Sequence, residues 1–425
     1  MQKQTSKSLR DHNKKMVLSF LRKSGPTTIP EIAAKLRLSN NTVSKIVLEY
    51  TAGALVKHNG KRESTEVGGK KPNLFVFNPK ARYVVAVQIS EGEIRGAITD
   101  LDVNLLDEIT IQTPDNSPID VVLTNIITAY NALIESQHID RDAIIGLAIG
   151  THGITDYATG TIVISPRNPI WGRDIPLKRL VRDRIRENIP VYVDNQIRFQ
   201  AFAEKRRRTR EDTENMVVIR CGDGAIAGVI LNNTIRRSKN LLFGHIGHMV
   251  LNPQDPEVCK CGGRGCIETL ISTKRVVRKA IDKYEEHPES TIFENKEPLE
   301  IVINDIFDAS NKGDRLAQEL LDEVIQWFSI GIHNLVLAYD PDTIILQGEY
   351  AMAGDYFIEN IRRKFNQVSL FDIDINCTIE YSQLGTRAGV IGAAAYVIEE
   401  YFQDQENLRF SSPSTHKNLA PSAEM

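Results

Sequence analysis

One imidazole and three thiols crowd into a short stretch of this chain. Ten residues separate His248 from Cys259, one separates Cys259 from Cys261, and four separate Cys261 from Cys266. Such a set offers a tetrahedral complement for Zn²⁺ with no position left open, which makes a structural site rather than a catalytic one. Gly262, Gly263 and Gly265 allow the loop to turn tightly enough for neighbouring thiolates to face one ion. The other two cysteines, Cys221 and Cys377, stand apart. An odd, clustered count without export signals fits metal ligation better than disulfides, independent buried thiols being the other reading.

A second group of chemical residues lies near the N-terminus. Residues 1–82 hold 17 Lys/Arg against 5 Asp/Glu, net +12, so the rest of the chain (35 against 50) carries −15 within the overall −3. A basic head on an acidic body implies a polyanionic partner for the head. Apolar Leu9, Met16, Val17, Phe20 and Leu21 predict a first helix that Gly25-Pro26 ends. Pro30 opens a second, Leu38-Ser39-Asn40 makes a turn, and Val43, Ile46, Val47 and Tyr50 repeat at i, i+3, i+4 and i+7. The outward face then carries Asn40, Asn41, Thr42, Ser44 and Lys45, able to meet phosphates and base edges as a recognition helix does. Strands expected at 54–59 and 73–77 flank a turn-rich wing with Lys61, Arg62, Lys70 and Lys71, suited to the phosphate backbone. The head therefore reads as a winged helix-turn-helix that takes operator DNA; a protein-docking module is the alternative.

The body must position the remaining chemistry. At 425 residues, 41% hydrophobic and 25% charged, the chain is long enough for two or three globular domains. No apolar run reaches the length of a membrane span, and the polar, basic start lacks a secretory pattern, so no membrane partner and a cytoplasmic location are expected. Beyond Tyr83 strands alternate with helices, which predicts an α/β body. The expected organisation is a DNA-binding head at 1–82, one lobe at 83–195, a second with the zinc loop at 196–403, and a disordered tail at 404–425.

Gly244-His245-Ile246-Gly247-His248-Met249 followed by Cys259 to Glu268 strongly resembles the signature of the ROK family of sugar kinases and repressors. Gly150–Asp156, Asn168 to Gly172, Asn195 to Glu204, Asp340-Pro341-Asp342 and Gly385–Ala395 support the likeness, which runs to about residue 403. With its attached head the chain resembles the repressor branch. The resemblance implies an actin-like, sugar-kinase-like two-lobed fold and a sugar held by Asn195, Gln196, His245, His248 and Glu268.

It also exposes departures. Where similar kinases have an Asn-Asp pair whose Asp is the base, this chain has Asn195-Gln196, and a carboxamide cannot take the proton. Where they have a Gly-rich phosphate loop it has Gln88-Ile89-Ser90-Glu91-Gly92, and the second loop, Gly222-Asp223-Gly224, also gains a carboxylate. Phosphoryl transfer is therefore not expected, and no catalytic residue is assigned. His245 replaces the family's Glu and His152 its Pro, with Arg198 and Arg220 expected nearby, which suggests a less negative pocket and an anionic sugar such as a phosphosugar or uronic acid. The expectation is a sugar-responsive DNA-binding regulator acting as a homodimer or tetramer; the alternative is a ROK-type sugar kinase with an accessory DNA-binding head.

Overall fold

The computed structural model of the protein describes residues 6–62, 71–208, 214–367 and 375–403. Lys70 and the expected tail at 404–425 lie outside the described residues.

The head consists of α1 (Ser6–Lys23), α2 (Ile29–Leu36) and α3 (Asn40–Ala52), followed by β1 (Val56–Lys61) paired antiparallel with β2 (Asn73–Phe77). Local capping explains where α2 and α3 start. The Thr28 hydroxyl accepts from the Glu31 amide while the Glu31 carboxylate accepts from the Thr28 amide, so two free N–H groups of the first turn are satisfied reciprocally. Arg37 then takes a left-handed conformation that ends α2, and Ser39 caps α3 by accepting from the Thr42 amide at 3.1 Å. A turn held at both ends fixes the angle between the two helices. Val43, Ile46, Val47 and Tyr50 are buried, as their spacing predicts. Asn40, Asn41 and Lys45 are exposed, and Thr42 and Ser44 half-buried.

The first lobe follows: β3 (Tyr83–Ile89), β4 (Glu93–Asp100), β5 (Leu105–Gln112), α4 (Ile119–Ser136) and β6 (Ile144–Thr151). A small three-stranded flap, β7 (Ile154–Asp156), β8 (Thr161–Ile164) and β9 (Arg173–Ile175), then precedes α5 (Leu177–Arg182) and β10 (Val191–Asn195). Helix α6 (Gln196–Arg207) leads into the second lobe, which begins with β11 (Met216–Cys221), β12 (Ala225–Leu231) and β13 (Thr234–Ile235). There α7 (Ile267–Leu270), α8 (Thr273–Asp282), α9 (Ile303–Asn311) and α10 (Arg315–Tyr339) lead to β14 (Thr343–Gly348), α11 (Gly354–Asn366), β15 (Thr378–Tyr381) and the final α12 (Ala388–Gln403).

The main sheets run β10-β6-β3-β4-β5 and β13-β12-β11-β14-β15. Counted in chain order, both arrange their third, second, first, fourth and fifth strands side by side, so one topology occurs twice. In each, the first and fourth strands are parallel and buried almost throughout, because helices cover both faces.

The chain does not divide in space where the sequence suggested. Helix α12, expected within the 196–403 lobe, packs on the first-lobe sheet: Val390, Ala393 and Val397 share a core with Val84, Ala86 and Ala148. The same core takes in Val17, Leu21, Ile32, Val47, Phe75 and Phe77, so head and body are continuous. Burying this apolar surface makes the head part of the fold rather than a module on a linker. Gly392 lets α12 cross α6 closely, since a Cβ there would run into the Phe199 carbonyl.

Candidate functional site

The loop after β13 brings the imidazole and thiols together. His248 ends a short turn, and residues 249–266 fold back through bridges between Val250 and Cys266 and between Val258 and Arg264. Gly265 has φ +70° and lies against the Asn252 carbonyl, so only a residue without Cβ fits. Cys266 then serves as the residue before α7, which places Glu268 in that helix's first turn. The ligand atoms of His248, Cys259, Cys261 and Cys266 all lie within 4.8 Å of one another. The sulfurs of Cys261 and Cys266 are 3.7 Å apart, and Cys259 Sγ is 3.6 Å from His248 Nδ1. A tetrahedral site with metal–sulfur bonds of about 2.3 Å has sulfur–sulfur edges of about 3.8 Å. The two short edges match this and the widest, up to 4.8 Å, would have to close a little, so the donor set fits zinc in type and approximate geometry. Burial pushes the Cys259 thiol up to about 12, whereas the backbone amide of Gly263 pulls Cys261 down.

The expected sugar contacts fall into two groups. Asn195 and Gln196 sit where β10 runs into α6 and line a cavity of about 100 Å³ with Glu91, His152, Gly153, Arg167, Arg220 and Ile226. The Asn195 side chain caps α6 by accepting from the Ile197 amide at 3.0 Å, and donates to the Gly153 carbonyl at 2.7 Å. Gln196 Oε1 is buried and has no partner among the described residues. His248 and Glu268 are outside this lining and belong to the thiol cluster: Glu268 Oε1 accepts from the Cys259 thiol at 3.0 Å and lies 3.5 Å from His248 Nδ1. His245 is half-buried, its Nδ1 also lacks a partner among the described residues, and burial together with Arg198 and His248 holds its pKa below the usual range.

Of the residues expected to bring positive charge to the cavity, only Arg220 does so. His152 stacks on Trp171, and its ring nitrogens bond Ser165 Oγ at 2.9 Å and Asn168 Nδ2 at 3.1 Å. Asn168 Oδ1 already accepts from the Asn116 amide, so Nδ2 donates to His152 Nε2 and the ring proton sits on Nδ1. Burial and Arg167 push this pKa down to about 4, so the ring is neutral near pH 7. Arg198 lies outside the lining and is spent internally: with Arg237, whose Nη2 is 2.9 Å from Asp194 Oδ2, it neutralises that buried carboxylate. The cavity's cations are Arg167 and Arg220, of which the sequence pointed only to Arg220.

The turns that stand where kinases similar to this chain have their phosphate loops hold carboxylates. Glu91, on the β3–β4 turn, is 2.5 Å from Arg167 and 3.7 Å from Arg220. Asp223, between Gly222 and Gly224 on the β11–β12 turn, pairs with Lys274 at 2.6 Å and accepts from Ser272 at 3.1 Å. Glu349 packs against Gly222 and accepts from Thr273 at 2.7 Å.

Helix α6 runs from this cavity to the head. Its first residue, Gln196, lines the cavity, and Arg206 in its last turn donates to the Asp102 carbonyl at 2.9 Å. Arg206 also lines a groove of about 210 Å³ with Leu18, Arg22 and Tyr50 of the head and Ile398 and Phe402 of α12. The Arg22 guanidinium lies 4.4 Å above the Phe402 ring. Lys61, Arg62 and Lys71 are exposed beside the hairpin, with Arg62 paired to Glu31. Among the described residues no helix is long and apolar enough to cross a membrane.

Twin five-stranded lobes, a cleft cavity between them and a thiol-rich loop behind it define a protein of the sugar-kinase-like class. The chain belongs to the ROK family, which it matches over residues 84–400. It is 28% identical over 398 residues, 92% of this chain and 96% of the relative, to the xylose repressor of Caldicellulosiruptor bescii. It is also 28% identical over 320 residues, 75% of this chain and 96% of the relative, to a glucokinase of Halalkalibacterium halodurans. Among solved structures, a ROK family transcriptional regulator, homologous to the E. coli MLC protein, superposes with a TM-score of 0.78 at 21% identity, covering 94% of this chain and 98% of that one. A ROK family glucokinase from Streptomyces griseus in complex with glucose and AMPPNP superposes with a TM-score of 0.64 at 25% identity over 74% of this chain and 98% of that one.

Proposed function

We propose that the chain is a sugar-responsive transcriptional repressor whose kinase-like body binds a carbohydrate without phosphorylating it. The observation that carries this reading is α6, with Gln196 in the cavity at one end and Arg206 against the DNA-binding head at the other. Its 12 residues span about 18 Å of rigid helix. A ligand that prefers one placement of this helix biases the head in the same step. The full-length likeness to a xylose repressor, head included, supports the same reading.

The head in this reading is a winged helix-turn-helix: α3 offers Asn40, Asn41, Thr42, Ser44 and Lys45 to the major groove, while Lys61, Arg62 and Lys71 meet phosphates. Two-fold operators match two-fold proteins, so the working unit is a homodimer or a pair of dimers. The orphaned Gln196 Oε1 and His245 Nδ1 are polar atoms for a sugar hydroxyl to satisfy. Gln196 can orient such a hydroxyl but takes no proton from it, and Asp194, two residues away, is held by two guanidinium groups. Zinc on His248, Cys259, Cys261 and Cys266 would fix the loop. Cys259 donates to Glu268 only while it keeps its proton, so a thiolate that ligates zinc would no longer make that hydrogen bond.

The test uses operator duplexes selected from a random pool by the full chain, then titrated with a sugar panel in a fluorescence anisotropy assay. One sugar is expected to lower operator affinity by roughly 5- to 150-fold, the usual span of a coupling energy. A sugar that binds without changing DNA affinity would refute the coupling. The glucokinase relative keeps a second reading in view, an active kinase with an accessory head. A coupled ADP-release assay separates the two, and turnover above about 1 per second would favour the kinase.

A further inference from the structure

One wall of the cleft cavity is built from three charged side chains far apart in sequence. Arg167 comes from the loop between β8 and β9, Arg220 from β11 in the other lobe, and Glu91 from the β3–β4 turn. Glu91 Oε1 is 2.5 Å from Arg167 Nη2 and 3.7 Å from Arg220 Nη2, so one carboxylate oxygen serves both guanidinium groups. Asp115 lies farther from Arg167, at 3.8 Å, and outside the cavity lining. Glu91 is also the most accessible member of the trio, 53% exposed against 30% for Arg167 and 35% for Arg220. Behind it lies Gln196, 7% exposed, with an unpartnered Oε1.

We propose that Arg167 and Arg220 form an anion subsite that Glu91 fills as an internal stand-in, and that the effector is a sugar carrying an acidic group, a carboxylate or a phosphate ester, which displaces Glu91. This rests on the carbohydrate-binding reading above and narrows its ligand class. Two guanidinium groups converging on one oxygen are the arrangement that recognises carboxylates and phosphates through charge-assisted hydrogen bonds. The exchange is easy because an accessible ion pair on a turn holds weakly. Neutral His152 adds no competing charge to the lining and is held in place by Trp171 and Asn168. Since the arginines belong to opposite lobes, an acid seated between them bridges the cleft, which gives the ligand a higher affinity for one lobe arrangement than for another.

The experiment is isothermal titration calorimetry on the full chain with neutral sugars and their acidic partners: glucose, glucuronate and glucose 6-phosphate, and the matching galactose, mannose and N-acetylglucosamine sets. At least one acidic member is expected to bind about tenfold or more tighter than its neutral parent, as charge-assisted contacts warrant. The uronate and phosphate arms tell which acid the site takes. Arg167→Gln and Arg220→Gln should each erase that preference, bringing the ratio of acidic to neutral affinity close to unity. Glu91→Gln, at an accessible position on a turn, should raise the affinity for acidic sugars relative to their neutral parents. A neutral sugar that binds as tightly as its acid, or a preference that survives both arginine substitutions, overturns the anion subsite and leaves carbohydrate binding intact. No binding by any member of the panel overturns carbohydrate binding itself, and the anion subsite falls with it.

Discussion

Replacing Asp194 by Asn leaves two guanidinium groups without their counter-charge. Asp194 is 2% exposed, Arg198 5% exposed, and Arg237 mostly buried between the rings of Tyr157 and Tyr396. Among the described residues Asp194 is the carboxylate within ion-pair distance of both. Removing one partner of a buried pair costs about 3–5 kcal/mol, because the remaining charge stays desolvated. Asparagine keeps one carbonyl acceptor, which puts the expected loss near the lower end, about 3 kcal/mol. At roughly 2–4 °C per kcal/mol for a lobe-sized cooperative unit, the melting temperature should fall by about 6–12 °C. The control is Asp120→Asn, which breaks the exposed pair with Arg184 and should change stability by less than about 1 kcal/mol. Urea denaturation of both variants checks the difference. Since Asp194 also accepts from the Asn195 amide at 2.8 Å, the variant should lose effector affinity below its melting temperature too. A melting shift no larger than the control's would refute the idea that this carboxylate anchors the cleft end of α6.

Acid should weaken the fold through His152. An unfolded imidazole protonates near 6.5 while the folded ring resists until about 4, so below pH 6.5 the unfolded state gains a proton that the folded state refuses. Stability is then lost as pH falls from about 6.5 to 4, by about 2 kcal/mol once the ring's contact with the cavity is allowed for, and urea midpoints of His152→Gln should lack that slope. Chelation, or Cys259→Ser, should lower the melting temperature and reduce bound zinc from one ion per chain, as read by elemental analysis; unchanged melting with no zinc bound would rule out the metal loop. Lys45→Ala should weaken DNA binding at all sequences and reduce the slope of log affinity against log salt by about 1, whereas Asn41→Ala should relax sequence preference in a competition assay.

Much of the fold could be read from periodicity, because buried strands such as Val84–Ile89 and Ile144–Ile149 and the stripe Val43, Ile46, Val47 and Tyr50 follow directly from which faces must leave water. The placement of α12 could not. Its apolar Val390, Ala393 and Val397 announce a buried face, but nothing local says which sheet covers it. The thiol cluster was legible because its ligands are close in sequence. The charge wall of the cavity was not, since Glu91, Arg167 and Arg220 meet only through the tertiary fold. Asp194 could have been noticed from Arg198 four residues on, where a strand hands over to a helix. The histidines misled for a physical reason: type suggests positive charge, while burial and an amide donor keep His152 uncharged.

The contact of α6 with α12 at Gly392 has a practical outcome for engineering. Where two helices meet main chain to main chain, no flexible side chain absorbs a small displacement, and the last turns of both helices abut the head through Arg206, Ile398 and Phe402. A chimera that grafts a foreign reader of promoter sequence onto this body must therefore import the residues facing Ile398 and Phe402 along with it. Swaps cut at residue 82 alone would give hybrids that hold DNA yet stay deaf to the inducer.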